Sequence, residues 1–199
     1  ANGIVDSFMH TLEQYLTYPI DAKVPDYFAE GVLRTLIEIA PDVLSQPDNY
    51  DARANFMWAA TVALNGILAT GVPEDWTTHR IGHELTALYG IDHARTLAII
   101  LPALLEVKKE AKRDKLLQYA KRVWDITEGS DEQKVDLAIQ KTCEFFESVG
   151  IKTHFSDYGL GHEVIEPILQ QMEKHGQINL GEHQDITLST SRQILEKAL

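Results

Sequence analysis

Apolar residues recur at three- and four-residue intervals along most of the chain, the period of an amphipathic helix. Ile4, Val5, Phe8, Met9, Leu12, Tyr15 and Leu16 fall on one stripe of a first helix. "PDYFAEGVLRTLIEIA" starts a second at Pro25, whose fixed φ and missing N–H suit a first helical turn. "DNYDARANFMWAATVALNGILATG" is long and apolar over its second half, which predicts a central buried helix. Asp75 is placed to cap a helix running to about Tyr89, and Asp92 to cap the next, which Pro102 should kink or end. "SDEQ", residues 130–133, has the form of a capping box and opens a helix ending near Gly150. Two more helices are expected near 162–175 and 187–199. No segment alternates cleanly while also carrying hairpin turn chemistry, and there is no repeat period or low-complexity tract. The expected fold is all-α, a multi-helix bundle forming a single domain over residues 1–199.

Composition supports that reading and removes several function classes. With 199 residues, 44% of them hydrophobic, the chain can bury a core of its own. Its net charge is −12, and its densest basic stretch, "VKKEAKRDK" (107–115), is interleaved with acids and is expected to form a solvated helix face. It therefore lacks the basic footprint of a nucleic-acid binder. Cys143 is the single cysteine, so there is no intrachain disulfide and no cysteine zinc site, which fits a reducing, cytoplasmic setting. The longest apolar run, "LAIILPALL" (97–105), is far short of the roughly 18 residues a membrane span needs. No secretory signal is present, and the start "ANGIVD", without methionine, fits a piece of a longer protein.

The candidate chemistry is a set of histidines with one aspartate. Asp6 and His10 lie four apart on the first helix, hence on one face, at the edge of its apolar stripe. His79 and His83 repeat that spacing on another helix. Taken alone, each pair is better explained by ordinary side-chain contacts than by a metal. "HRIGHE" is not the H-E-x-x-H of a zinc protease, since Glu84 follows the second histidine. His93 changes the balance. On one straight helix it would lie about 21 Å from His79, so both reach one ion only if the chain turns back between them. "LYGID" supplies such a turn, with Gly90 able to take a left-handed cap and Asp92 to start a new helix. Three imidazoles and one carboxylate then make an N3O set suited to zinc or ferrous iron.

These residues resemble the iron-containing (group III) alcohol dehydrogenase family, in its butanol dehydrogenase or aldehyde reductase branch. "NGIVDSFMHTLEQY" is similar to the family's D-x-x-x-H metal helix, and "HRIGHELTALYGIDHARTLAIILP" to its H-x-x-x-H…H block. "ARANFMWAATVALNG", "LLQYAKRVWDITEGS", "DYGL" and "DITLSTSR" extend the likeness over nearly the whole chain. The resemblance implies a dehydroquinate synthase-like C-terminal α domain. It implies metal ligation by Asp6, His10, His79 and His93, with His83 outside the ligand set, near substrate and nicotinamide, assisting proton movement. The implied reaction is hydride transfer between NAD(P)H and an aldehyde, giving a primary alcohol. The implied cofactors are a divalent metal, zinc or iron, and NADPH in the full-length parent. The implied partners are a small aldehyde or alcohol substrate and a second copy in a homo-oligomeric parent, with no nucleic acid and no membrane. The family's N-terminal nucleotide-binding domain has no counterpart here: the one G-x-G, "GLG" at 159–161, follows no strand. The fragment alone is therefore expected not to turn over NADPH. The alternative is an HD-type metal phosphohydrolase, although its adjacent His-Asp pair occurs here only reversed, as Asp92-His93. The plainest option is a helical interaction module with no metal.

His154, His162, His175 and His183 have irregular spacings and are expected in surface or capping roles. Trp58, Trp76 and Trp124 are expected in the core or a pocket wall. Trp76, one turn before His79, is the candidate substrate contact. Met9 and Cys143 are expected as core residues.

Overall fold

The computed structural model describes all 199 residues. Nine α-helices follow one another: α1 (Asn2–Tyr15), α2 (Lys23–Ser45), α3 (Tyr50–Leu64), α4 (Thr77–Tyr89), α5 (His93–Val107), α6 (Arg113–Arg122), α7 (Asp131–Ser148), α8 (Ile165–Lys174) and α9 (Leu188–Lys197). A two-residue antiparallel ladder, β1 (Asn179–Leu180) with β2 (Ile186–Thr187), precedes α9. One hydrophobic core of 49 residues runs through the bundle. The all-α expectation holds, as do the helices read at 162–175 and 187–199. The Ser130–Gln133 capping box forms with both of its hydrogen bonds.

The central element is α5, which packs on α1, α4, α7 and α9. It is buried nearly all round, from Ala94 through Leu97–Leu101 to Leu105. Pro102 therefore does not end it. Proline costs one helical hydrogen bond, but the apolar surface buried on both sides of it holds the helix to Val107. The stripe on α1 is buried as its period requires, and Met9 lies in the core. Phe8 on α1 meets Phe145 and Phe146 on α7, with ring centroids 5.2 and 5.7 Å apart.

Other expectations fail. The helix expected at the centre, α3, lies at the surface: it buries only Ala52, Ala59 and Ala63, while Met57 and Trp58 are about 70% exposed. Its apolar side chains are spread round the helix, so only one small-residue edge is fully buried, while Phe56 and Val62 pack against the core half-buried. Trp58 is thus not a core residue; Trp124 packs against the core as expected. Asp92 precedes α5 but makes no capping bond to it; its carboxylate accepts from Asn2 and Arg95.

Candidate metal centre

The site forms where α1 meets the α4–α5 turn. Gly90 closes α4 at φ 68°, a left-handed conformation open to glycine, and its N–H donates to Thr86 at 2.9 Å. Three residues later His93 opens α5. The return is close because Gly82 faces α5: a Cβ there would lie 2.9 Å from Thr96 Oγ1 and 3.0 Å from Leu97 Cδ2. His93, on the first turn of α5, thereby comes back beside His79, on the first turn of α4, and both face Asp6 on α1.

The donor atoms of Asp6, His79 and His93 all lie within 4.8 Å of one another. Asp6 Oδ1 is 4.0 Å from His79 Nε2 and 3.7 Å from His93 Nε2. His10 stands beside them, with Nε2 3.6 Å from Asp6 Oδ1 and its ring 4.3 Å from that of His79, outside the mutually close set of three. His83 stacks on His93 at 4.8 Å. Trp76, the candidate substrate contact, packs edge-on against His10 and His79. These rings and Arg80 line an open cavity of about 410 Å³. His154, His162, His175 and His183 lie elsewhere. His175 ends α8 and pairs with the buried Glu84, and His183 stacks on Tyr18.

The residues fit a divalent cation. Asp6 Oδ1, His79 Nε2 and His10 Nδ1 are buried atoms with no hydrogen-bond partner, which is costly unless something else binds them. Burial, reinforced by the neighbouring His79, pushes His10 down to about 4 although Asp6 pulls it upward. Burial and then His79 also lower His93 and His83. Uncharged imidazoles have the free lone pairs a metal needs.

Sequence reasoning missed the supports of this site. Glu13, 3% exposed, takes His79 Nδ1–H on one carboxylate oxygen and the Thr78 N–H, at 2.6 Å, on the other. It thereby holds the tautomer that leaves Nε2 unprotonated and turned to the cluster. Its signal was available, because Glu13 continues the face of Asp6 and His10 at the next helical interval. Asp75 supports α4 differently from the expected cap. Its Oδ1 accepts from Thr77 at 3.0 Å, across Trp76, whose φ of 60° is unusual for so bulky a residue. Cys143 is half-buried, and burial, with Glu147 adding, raises its thiol to about 11.

The sequence profile of the Fe-containing alcohol dehydrogenase family, C-terminal, matches residues 1–199. The chain is 60% identical over 198 residues to the NADPH-dependent aldehyde reductase YqhD of Escherichia coli, covering 100% of this chain and 51% of that protein. It is 33% identical over 200 residues to NADH-dependent butanol dehydrogenase A of Clostridium acetobutylicum, again covering 100% of this chain and 51% of the relative. The substrate- and cofactor-free structure of the E. coli reductase superposes with a TM-score of 0.98 at 59% identity, over 100% of this chain and 52% of that one. The butanol dehydrogenase A structure from Thermotoga maritima gives 0.91 at 31% identity, over 99% and 51%. The chain thus spans about half the length of the relatives it matches. These matches displace the phosphohydrolase alternative. No helix is long and apolar enough to cross a membrane.

Proposed function

The chain belongs to the iron-containing alcohol dehydrogenase family, and from that premise we propose that it is the metal-holding helical domain of an NADPH-dependent aldehyde reductase. The observation that carries the proposal is the convergence of Asp6, His79 and His93, in which Asp6 Oδ1 and His79 Nε2 are buried without a hydrogen-bond partner. Asp6, His10, His79 and His93 are the proposed ligands of one divalent ion, ferrous iron or zinc. Such an ion, when bound, supplies a Lewis acid that polarises a carbonyl and stabilises negative charge developing on its oxygen.

The chain's own residues do the rest. Glu13 keeps His79 in its binding tautomer. Trp76 walls the cavity with an apolar face against which the carbon chain of an aldehyde packs. His83, in the same open cavity and next to His93, would relay a proton from solvent to the carbonyl oxygen, and a nicotinamide, when bound, would supply the hydride. The products are a primary alcohol and the oxidised nicotinamide. The nucleotide-binding domain belongs, in this reading, to the rest of a longer parent, and the 199 residues alone do not turn over NADPH. We place the parent in the cytoplasm as a homo-oligomer. The single cysteine among these 199 residues supports the first assignment, and the exposed apolar side chains Tyr27, Phe28 and Trp58 on α2 and α3 support the second.

The test is elemental analysis of the purified chain beside a His79→Ala, His93→Ala double variant, with NADPH-linked aldehyde reduction assayed on the parent. About one zinc or iron per chain, lost in the variant, is expected. No metal in either protein after incubation with both ions removes the four-ligand site.

A further inference from the structure

Lys112 is the most buried cation of the chain, its side chain only 1% exposed where the turn after α5 enters α6. Its Nζ lies 2.9 Å from Asp75 Oδ2 and 2.7 Å from Glu182 Oε1, and donates to the Leu16 carbonyl at 2.7 Å. One ammonium therefore joins the end of α1, the β1–β2 turn and the loop that delivers α4. Burial disfavours its charge, but Asp75 and then Glu182 outweigh that and hold its pKa above the ordinary lysine value.

The two carboxylates lead to different places. Glu182 ends in the β1–β2 turn. Asp75 continues toward the metal cluster: its Oδ1 accepts the Thr77 N–H and its own N–H donates to the Glu13 carbonyl at 3.0 Å. The Glu13 carboxylate in turn holds Thr78 and His79. Between Asp75 and Thr77 the backbone passes through Trp76 in its left-handed conformation, which persists only where both sides are held.

We propose that Lys112 is a positioning residue for His79, acting through Asp75, which fixes the first turn of α4 and the height of Glu13 under the imidazole. This rests on the reading of His79 as a metal ligand. Without the ammonium, Asp75 is a buried carboxylate with no counter-ion and leaves its place under α4, whereas a lysine that only neutralised the core would serve both carboxylates alike.

The experiment compares Lys112→Met, Asp75→Asn and Glu182→Gln in the 199-residue chain by two readouts. One is the histidine ring 15N–1H correlation spectrum of the metal-free protein, which reports the His79 tautomer. The other is cobalt(II) affinity, followed by the visible spectrum of the bound ion. Wild type should show one ring pattern with the proton on Nδ1. Lys112→Met should show tautomer exchange and about tenfold weaker cobalt binding, the lower end of what outlying supports of a ligand contribute. Asp75→Asn should shift both readouts in the same direction by less, and it decides the matter if Lys112→Met does not fold. Glu182→Gln should lower the melting temperature yet leave the ring pattern unchanged and the affinity within twofold of wild type. A folded Lys112→Met variant with wild-type ring pattern and affinity overturns the proposal, and so does a Glu182→Gln variant that shifts both readouts as far. Failure of the wild type to bind cobalt removes the metal reading instead, and the ring spectra then decide the positioning role alone.

Discussion

Replacing Glu13 with glutamine keeps the side chain's shape and removes one acceptor. In the native chain each carboxylate oxygen has its own donor, Thr78 N–H on one and His79 Nδ1–H on the other. An amide has one oxygen, so one donor must face an NH2 group, and at 3% exposure no water replaces the lost partner. Losing a hydrogen bond to a charged acceptor costs about 1.5–3 kcal/mol. For a domain of this size that lowers the melting temperature by roughly 3–12 °C. The ring has one way to recover: it moves its proton to Nε2 and lets Nδ1 accept from the amide. That relieves the local clash but removes the lone pair that Nε2 would give a metal. Zinc affinity should therefore fall about 10- to 100-fold, or about 1.4–2.7 kcal/mol. The assay is zinc competition against a chromophoric chelator, run beside thermal unfolding of the metal-free protein. A Glu13→Gln variant that melts with wild type and binds zinc equally well would refute the argument, because the carboxylate would then be neither a satisfied partner nor a tautomer lock.

Gly82→Ala puts a Cβ 2.9 Å from Thr96 Oγ1 and 3.0 Å from Leu97 Cδ2, so α4 and α5 must part. It should cost about 1–3 kcal/mol by urea unfolding and weaken zinc binding, since His93 moves with α5; full retention of both would show the close approach to be dispensable. In chelator, stability should fall as the pH drops from about 6.5 toward 4. The folded chain keeps His10 uncharged down to about 4, with His93 and His83 also lowered, while unfolded imidazoles protonate near 6.5 and take up more protons across that window. The urea midpoint should therefore be lower at pH 5.5 than at 7.5, and a flat or inverted profile contradicts the assignment. Cys143, with its thiol raised to about 11, should react slowly with a thiol-specific disulfide reagent at pH 7.5 in the native state and rapidly in denaturant; fast native labelling would count against it.

Much of the fold was legible because its signals are local. The period of the α1 stripe is written in the local sequence, and the Ser130–Gln133 box and the Gly90 cap are each satisfied within a few residues, so nothing distant was needed to read them. The candidate site was legible to the same depth. The interval between Asp6 and His10, and a turn between His79 and His93, are properties of one or two consecutive helices. Where the neighbours were distant, local reading failed. The apolar second half of α3 suggested burial, but whether a helix is central depends on what packs round it, and only its alanine edge is fully buried. Pro102 suggested a break, yet α5 is enclosed along its length and continues.

The sequence alone therefore determined which residues have the chemistry for a metal and which helices carry them. Tertiary structure alone decided that those helices meet. It brought Glu13 under His79 across 66 positions, and it gave a lysine from the basic stretch 107–115, expected at the surface, two buried carboxylates as partners. The physical reason is that a buried charge or an orphaned helix N–H must be matched, and the chain matches it with whichever residue folding brings near, however far away in sequence.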